Sequence, residues 1–351
     1  MTDHKEHLLS LYGETNIYHG ELHDHSASGG TSDGKRPLSH WLGAMEALGM
    51  DFAAILDHKQ VRHMYEPEWK DGLFIGGTEP GTVIDDAEAE KKSMHYNMLL
   101  ENAQPLMEIL HDFPEYEYEG GVEGHFIYPH FTRERFSELA EAVFAHGGFF
   151  VHPHPTLLMK ADDPLQYVFR ERMGLEVVYI SLESESTKAN YKLWKDILAT
   201  GYRVYATAGC DMHACASDGA LTSLYATEKS NRAYLDCLRR GDFVAGAVGI
   251  KMCIGDTRMG GEADFDGTTV LAIGDYHKSV YDPSHSYRVD IYDDKGVCHS
   301  APLDCTQTEL VTFSADKDAR FYRAEVVDVT RGLTIAYGNP IWNQAFQFEN
   351  K

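Results

Sequence analysis

Through its first two-thirds the chain alternates short apolar runs with longer stretches in which apolar residues recur at helical spacing. The runs Asn16–His23, Phe52–Leu56, Leu73–Thr78, His95–Leu100, Phe149–His154, Leu175–Ile180 and Tyr202–Ala208 predict strands. Between them, Pro37–Leu48 carries Leu38, Trp41, Leu42, Met45 and Leu48 on one helical face, with Pro at its start and Gly49 just past its end. Val61–Trp69, Ala103–Asp112, Arg133–His146 and Asn190–Ala199 predict further helices, and the acidic, Gly-rich Glu115–Val122 an exposed loop. Seven alternations of this kind are the pattern of a parallel α/β barrel or a doubly wound sheet. After about residue 245 the pattern shifts to short segments rich in Val, Ile, Tyr and Phe, among them Thr268–Ile273, Tyr287–Tyr292 and Phe321–Val329. Asp293-Asp294-Lys295-Gly296 and Thr330-Arg331-Gly332 read as hairpin turns there. The expected organisation is an α/β unit over 1–248 and a small antiparallel β domain over 249–351.

Polar residues that break the apolar pattern gather at the ends of the predicted strands. His23 and His25 are two apart on a strand, so they point to the same side and form an open claw for a transition metal. In chain order the candidate ligands are His23, His25, Asp33, His58, Glu79, His95, His154, Asp211 and His213. This set of nitrogen and oxygen donors without cysteine suits zinc, manganese or iron, and it is too large for one ion. Barrel active sites collect at the C-terminal ends of strands, where His23, His25, His58, Glu79, His154 and Asp211 fall. Plainer roles exist for some of them. Asp33 could cap the helix beginning near Pro37, and His95 could be a satisfied core histidine, but the ligand reading is preferred for both. His40, His63, His111, His125, His130 and His146 sit at no such position. Arg62, Lys35 and Lys59 lie near ligand positions and could meet an anionic substrate, as could His152.

Charge and cysteine usage narrow the class. Thirty-one basic residues against 55 acidic ones give a formal net charge of −24, which disfavours a nucleic-acid-binding surface. The expected partner is a small-molecule substrate, with no nucleic acid and no membrane. No apolar run approaches the roughly 18–20 residues that span a bilayer. The charged N-terminus lacks the apolar core of a secretory signal. The six cysteines form no C-x-x-C pair, and the first 209 residues have none, so no disulfide framework is expected. A cytoplasmic location follows as the simplest expectation.

Taken together, the motifs resemble the polymerase-and-histidinol-phosphatase (PHP) superfamily of metal-dependent phosphoesterases. Leu22-His23-Asp24-His25-Ser26 with Ser32-Asp33-Gly34 is similar to that family's opening motif, Leu56-Asp57-His58 to its second, and Gly77-Thr78-Glu79 to its G-x-E strand end. Gly147–Pro155 resembles the G-G…A-H-P strand, and Gly209-Cys210-Asp211-Met212-His213 the late G-S-D-x-H motif. The resemblance spans about residues 15–245, and the C-terminal Ala336–Trp342 is similar to the tail of a stand-alone branch. It implies a distorted (β/α)7 barrel. It also implies a first ion held by His23, His25, Glu79 and Asp211, a second by bridging Glu79 with His95 and His154, and a third by Asp33, His58 and His213. Glu21 stands where Asp is usual, Cys210 replaces Ser, and Pro80 follows Glu79 directly. Of the two His-Pro pairs in Val151-His152-Pro153-His154-Pro155, His154 falls at the family position.

The expected function is therefore hydrolysis of a small phosphorylated metabolite or nucleotide by a metal-activated hydroxide at a di- or trinuclear site. His154, His213 and Asp211 are the expected catalytic residues, and His152, Lys35 and Lys59 the substrate contacts. The same centre could cleave a carboxylic ester, amide or carbamate. A non-catalytic metal-binding module is the third reading, which the full ligand set disfavours. No serine nucleophile elbow or phosphate-cradling glycine loop is present.

Overall fold

A computed structural model describes residues 4–116 and 128–346. In chain order the first part comprises α1 (His4–Tyr12), β1 (Asn16–Asp24), α2 (Leu38–Leu48), β2 (Phe52–Ile55), β3 (Phe74–Thr78), β4 (Gly81–Ile84), β5 (Ser93–His95), β6 (Asn97–Leu100) and α3 (Gln104–Asp112). There follow β7 (His130–Phe131), α4 (Arg133–Ala145), β8 (Phe149–His152), α5 (Pro155–Leu158), β9 (Gly174–Tyr179), α6 (Glu185–Thr200), β10 (Tyr205–Gly209), β11 (Thr222–Ala226), α7 (Asn231–Arg240) and β12 (Phe243–Gly246). The loop expected over Glu115–Val122 falls, from residue 117 on, outside the described residues, as does His125.

The result is a mixed α/β architecture built on one large sheet, whose first part has the order β10-β9-β8-β6-β3-β2-β1-β11-β12. β1, β2 and β3 are parallel neighbours, as are β8, β9 and β10. β6 lies between the two sets, antiparallel to both β3 and β8. Their residues are buried on both faces, for instance Phe52–Ile55 and Gly174–Tyr179 throughout, as parallel strands covered by helices require. The sheet then continues through β11 and β12 to Leu333–Gly338, Phe321–Asp328, Tyr287–Asp293 and Gly296–Leu303. Both expected hairpin turns are present, since Asp293 faces Gly296 and Asp328 faces Leu333.

The expected parallel barrel is corrected in two respects. β6 runs against its neighbours because β3 is followed by the β4–β5 excursion and not by a crossover helix. No closed sheet forms among the described residues. β10 lies beside β1 but exchanges backbone hydrogen bonds with it only past its own end, where Asp211 N–H donates to His23 O (2.7 Å) and His25 N–H to Met212 O (2.9 Å). The helix expected over Val61–Trp69 is one short 3₁₀ turn, Arg62–Tyr65. The strand expected over His95–Leu100 is two pieces, Ser93–His95 pairing β4 and Asn97–Leu100 pairing β3 and β8. Among the described residues no helix is long and apolar enough to cross a membrane.

Candidate metal centre

Strand direction decides where the polar residues meet. The C-terminal ends of the six parallel strands deliver His23 and His25, then His58, Glu79, His154, Tyr179 and Asp211 to one end of the sheet. β6 runs the other way, so its start brings His95, just before it, to that same end. The backbone is strained here. Lys59 (φ 54°), His154 (28°), Ile180 (66°) and Asp211 (54°) make up four of the six described non-glycine residues with positive φ. Each such conformation costs on the order of 1–3 kcal/mol, and such strain concentrates at functional sites.

Glu79 is the hub. Its Oε2 lies 3.3 Å from His23 Nε2 and 3.2 Å from His25 Nε2, and Asp211 Oδ1 lies 3.0 Å from His25 Nε2. Its Oε1 lies 3.0 Å from His95 Nδ1 and 2.9 Å from His154 Nε2. On the solvent side Asp33 Oδ1 is 3.0 Å from His213 Nε2 and 3.7 Å from His58 Nε2, and the His25 and His213 rings stack with centroids 4.3 Å apart. Three overlapping groups have donor atoms that all converge within 4.8 Å: His23/His25/Glu79/Asp211, His25/Asp33/His58/His213 and His58/Glu79/His95.

The residues fit divalent ions on two counts. First, four rings are oriented from behind by one nitrogen, leaving the other aimed inward. His23 Nδ1 faces Glu176 Oε1 (3.0 Å), His58 Nδ1 faces Glu79 O (2.7 Å), His95 Nε2 faces Tyr128 Oη (2.9 Å) and His213 Nδ1 faces Asp211 O (2.9 Å). Such outer partners fix the tautomer of a ligating histidine. Second, His23 Nε2, His25 Nε2, Glu79 Oε2, Asp211 Oδ1 and Asp33 Oδ1 are buried atoms that make no hydrogen bond. One unsatisfied buried group costs about 1–3 kcal/mol; four of the five converge and are explained by a cation between them, and Asp33 belongs to the neighbouring group with His25, His58 and His213.

Electrostatics agree. Burial pushes the Glu79 carboxyl up, but the His23 and His95 charges and the bonds from His154 and His23 hold it well below the usual range. Asp211 is likewise pushed up by burial and pulled lower still by His23 and His25. Burial pulls His25 down, yet Asp211 and Glu79 raise it to about 9. The carboxylates thus create a field that attracts positive charge into a nearly closed space.

A cavity of about 180 Å³ opens beside the cluster, lined by Asp33, His58, Lys59, Gly81, His95 and Tyr128. Lys59 therefore lines the cavity, whereas Lys35 contributes its backbone N–H to His213 O (2.6 Å) and does not. His152 is not brought to the cluster. It is buried with Nδ1 against Tyr167 O (3.1 Å) and its ring stacked on Tyr167. Four residues escaped the sequence reading: Glu176, Tyr128, Tyr179, whose hydroxyl donates to Asp211 Oδ2 (2.8 Å), and Asp57 as a structural tie. A lone Glu inside Leu175–Tyr179, a fully buried apolar strand, was the signal available for the first.

No family model and no curated protein matches the chain. Similar solved structures include a two-domain protein containing a predicted PHP-like metal-dependent phosphoesterase from Bacteroides vulgatus, 12% identical over 93% of this chain and 96% of that one (TM-score 0.44). An amidohydrolase from Chromobacterium violaceum, with sulfate bound and no metal, is 18% identical over 56% of this chain and 87% of that one (TM-score 0.39). Endonuclease Q in complex with a 27-mer duplex substrate carrying an abasic lesion is 13% identical over 64% of this chain and 57% of that one (TM-score 0.44). The solved structures similar to this chain thus include PHP-like metal-dependent phosphoesterases, the family its motifs resemble. The exclusion of nucleic acid is corrected, because a DNA-bound endonuclease stands among them. Net charge sums the whole surface, whereas phosphate binding is decided by the few groups at a site.

Proposed function

We propose that the protein is a metal-dependent phosphoester hydrolase working at a di- or trinuclear centre. The observation that carries this is three overlapping ligand groups, two of them sharing Glu79, with buried donor atoms that no hydrogen bond satisfies. In this reading His23, His25, Glu79 and Asp211 hold one ion, Glu79, His95 and His154 a second, and Asp33, His58 and His213 a third. Manganese, zinc and iron all suit these donors. Divalent ions there supply Lewis acidity and a water acidic enough to lose its proton near neutral pH. The chain's own residues do the rest. Lys59, in the cavity wall, pairs with phosphoryl oxygens, and Tyr128 and Tyr179 keep His95 and Asp211 in place. The leaving oxygen takes its proton from a group outside the ligand set.

The test is to measure bound metal in the purified protein and assay phosphomonoesters, phosphodiesters, duplex DNA with an abasic lesion, and aryl esters, with Asp211→Asn as the control. Phosphoester cleavage, with two or three equivalents of metal and loss in the variant, is expected. Cleavage of the carboxylic esters alone, or a metal-loaded protein inert on every substrate, refutes the proposal.

A further inference from the structure

Glu176 sits behind the metal centre on β9, 1% exposed. Its two oxygens reach His23 on β1 and His154 just past β8. Oε1 lies 3.0 Å from His23 Nδ1, and Oε2 accepts the backbone N–H of His154 at 2.7 Å. Its own backbone is fixed in turn, because Asn190 Nδ2 on α6 donates to Glu176 O at 2.9 Å. Room for the carboxylate is made by Gly209 at the end of β10. A Cβ there would fall 2.2 Å from Glu176 Oε1 and 2.6 Å from His23 Cβ.

From this we infer that Glu176 is a positioning residue shared by two ion subsites. The inference rests on the metal-centre reading given above. Toward the first subsite, the carboxylate holds His23 with its proton on Nδ1, which leaves the Nε2 lone pair facing Glu79 Oε2 and Asp211 Oδ1. Toward the second, it secures His154 at its left-handed φ of 28°, the conformation in which Nε2 meets Glu79 Oε1. Both contacts are N–H donors, and only a carboxylate offers each an acceptor. A glutamine of the same shape has one acceptor, and its amide N–H would face a second donor. Removing the charge therefore weakens both subsites together, unlike removal of a ligand that serves one.

The experiment titrates metal-free protein with Zn2+ calorimetrically, comparing wild type, Glu176→Gln and His95→Ala, with the urea midpoint of each metal-free protein as the folding control. Removing a partner behind a metal ligand costs roughly 10–100-fold in affinity. The expected result is that two Zn2+ ions bind 10–100-fold more weakly to Glu176→Gln, while His95→Ala weakens one. Wild type that binds fewer than two Zn2+ ions overturns the metal-centre reading and this inference with it. Wild type binding two, with Glu176→Gln equal to it or weakened at one ion only, overturns this inference alone. Should Glu176→Gln fail to fold, the question passes to imidazole ¹⁵N NMR of the Zn2+-loaded wild type. His23 is expected to carry its proton on Nδ1, and a proton on Nε2 refutes the role assigned to Glu176.

Discussion

Replacing Asp57 by Asn tests whether the loops carrying the candidate ligands are held by one carboxylate. Asp57 is fully buried and accepts from Ser26 N–H (2.6 Å), Ser26 Oγ (2.8 Å), Ser28 Oγ, His63 (Nδ1, 3.0 Å) and Gln60 (Nε2, 3.1 Å). It thereby joins the loop after β1, which leads from His25 to Asp33, to the loop after β2 that carries His58. The amide of Asn supplies one acceptor in place of two. Serine hydroxyls can rotate to accept from it, but His63 and Gln60 face it as donors. Losing about two bonds to a charged group at roughly 1.5–3 kcal/mol each, partly offset by that rotation, leaves a destabilisation of about 3 kcal/mol. With a urea m-value of about 3 kcal/mol/M the midpoint falls on the order of 1 M. The effect has a pH signature. Burial pushes Asp57 up, but the bond and charge of His63 and the Ser28 and Ser26 donors bring it far below the ordinary carboxylate value of 3.8. A carboxyl whose folded value is depressed stabilises above its unfolded value, and that stability is lost as pH falls through the folded one. Wild type and variant should therefore differ most above about pH 5 and converge below about pH 4. A variant within about 0.5 kcal/mol of wild type, or a gap that does not close in acid, refutes the assignment.

Glu325→Ala should destabilise by roughly 3–5 kcal/mol in urea titrations, because it strands the buried Arg323 guanidinium that Glu325 and Tyr191 now satisfy. The double replacement Arg323→Met with Glu325→Leu should recover most of that loss. Gly81→Ala places a Cβ 2.3 Å from the Tyr128 ring and so displaces the hydroxyl that meets His95. Its KM for a cleaved phosphoester should rise about tenfold, roughly 1.4 kcal/mol; an unchanged KM would remove Tyr128 from the site. His19, packed against His277 with Asp51 and Asp275 nearby, is brought down to about 4, chiefly by burial and then by the His277 charge. Its depressed folded value means stability present above about pH 6.5 and lost on acidification toward about pH 4. The slope of melting temperature against pH in that window should shrink in His19→Gln.

The strands and their terminal histidines and carboxylates were legible because both signals are local. An apolar run reports burial, and His-x-His reports a shared side. Direction was not legible. Asn97-Met98-Leu99-Leu100 is buried throughout and reads alike either way, so nothing in it announces that β6 runs antiparallel. His95–Leu100 looked like one strand because its break at Tyr96 depends on pairing with β4 on one side and β3 on the other, partners distant in the chain. The helix expected over Val61–Trp69 shortens where Gln60 and His63 turn back to Asp57. Glu176, Tyr179 and Tyr128 act through contacts with His23, Asp211 and His95 that exist only after folding.

Donor placement separates structural carboxylates from candidate ligands at this end of the sheet. Asp57 is saturated by serine, histidine and amide donors. Glu176 takes a backbone N–H and an imidazole. Glu21 accepts the N–H groups of His23 and Cys210. Beside it Asp24 accepts the backbone N–H of Met212 (3.3 Å), and burial raises both carboxyls. Glu79 Oε2 and Asp211 Oδ1 are treated differently. No backbone N–H or hydroxyl donates to either, and only imidazole nitrogens approach them: Nε2 of His23 and His25, with His58 Nδ1 3.5 Å from Glu79 Oε2 and His213 Nδ1 3.6 Å from Asp211 Oδ1. His23 cannot supply the missing proton if Glu176 already holds one on its Nδ1, because a neutral imidazole has a lone pair on Nε2. Two anionic oxygens then face the lone-pair nitrogen of His23 at 3.3 and 3.6 Å, an arrangement that is repulsive on its own and attractive around a divalent cation. The fold therefore satisfies its structural carboxylates internally and leaves unsatisfied the atoms that a metal would complete.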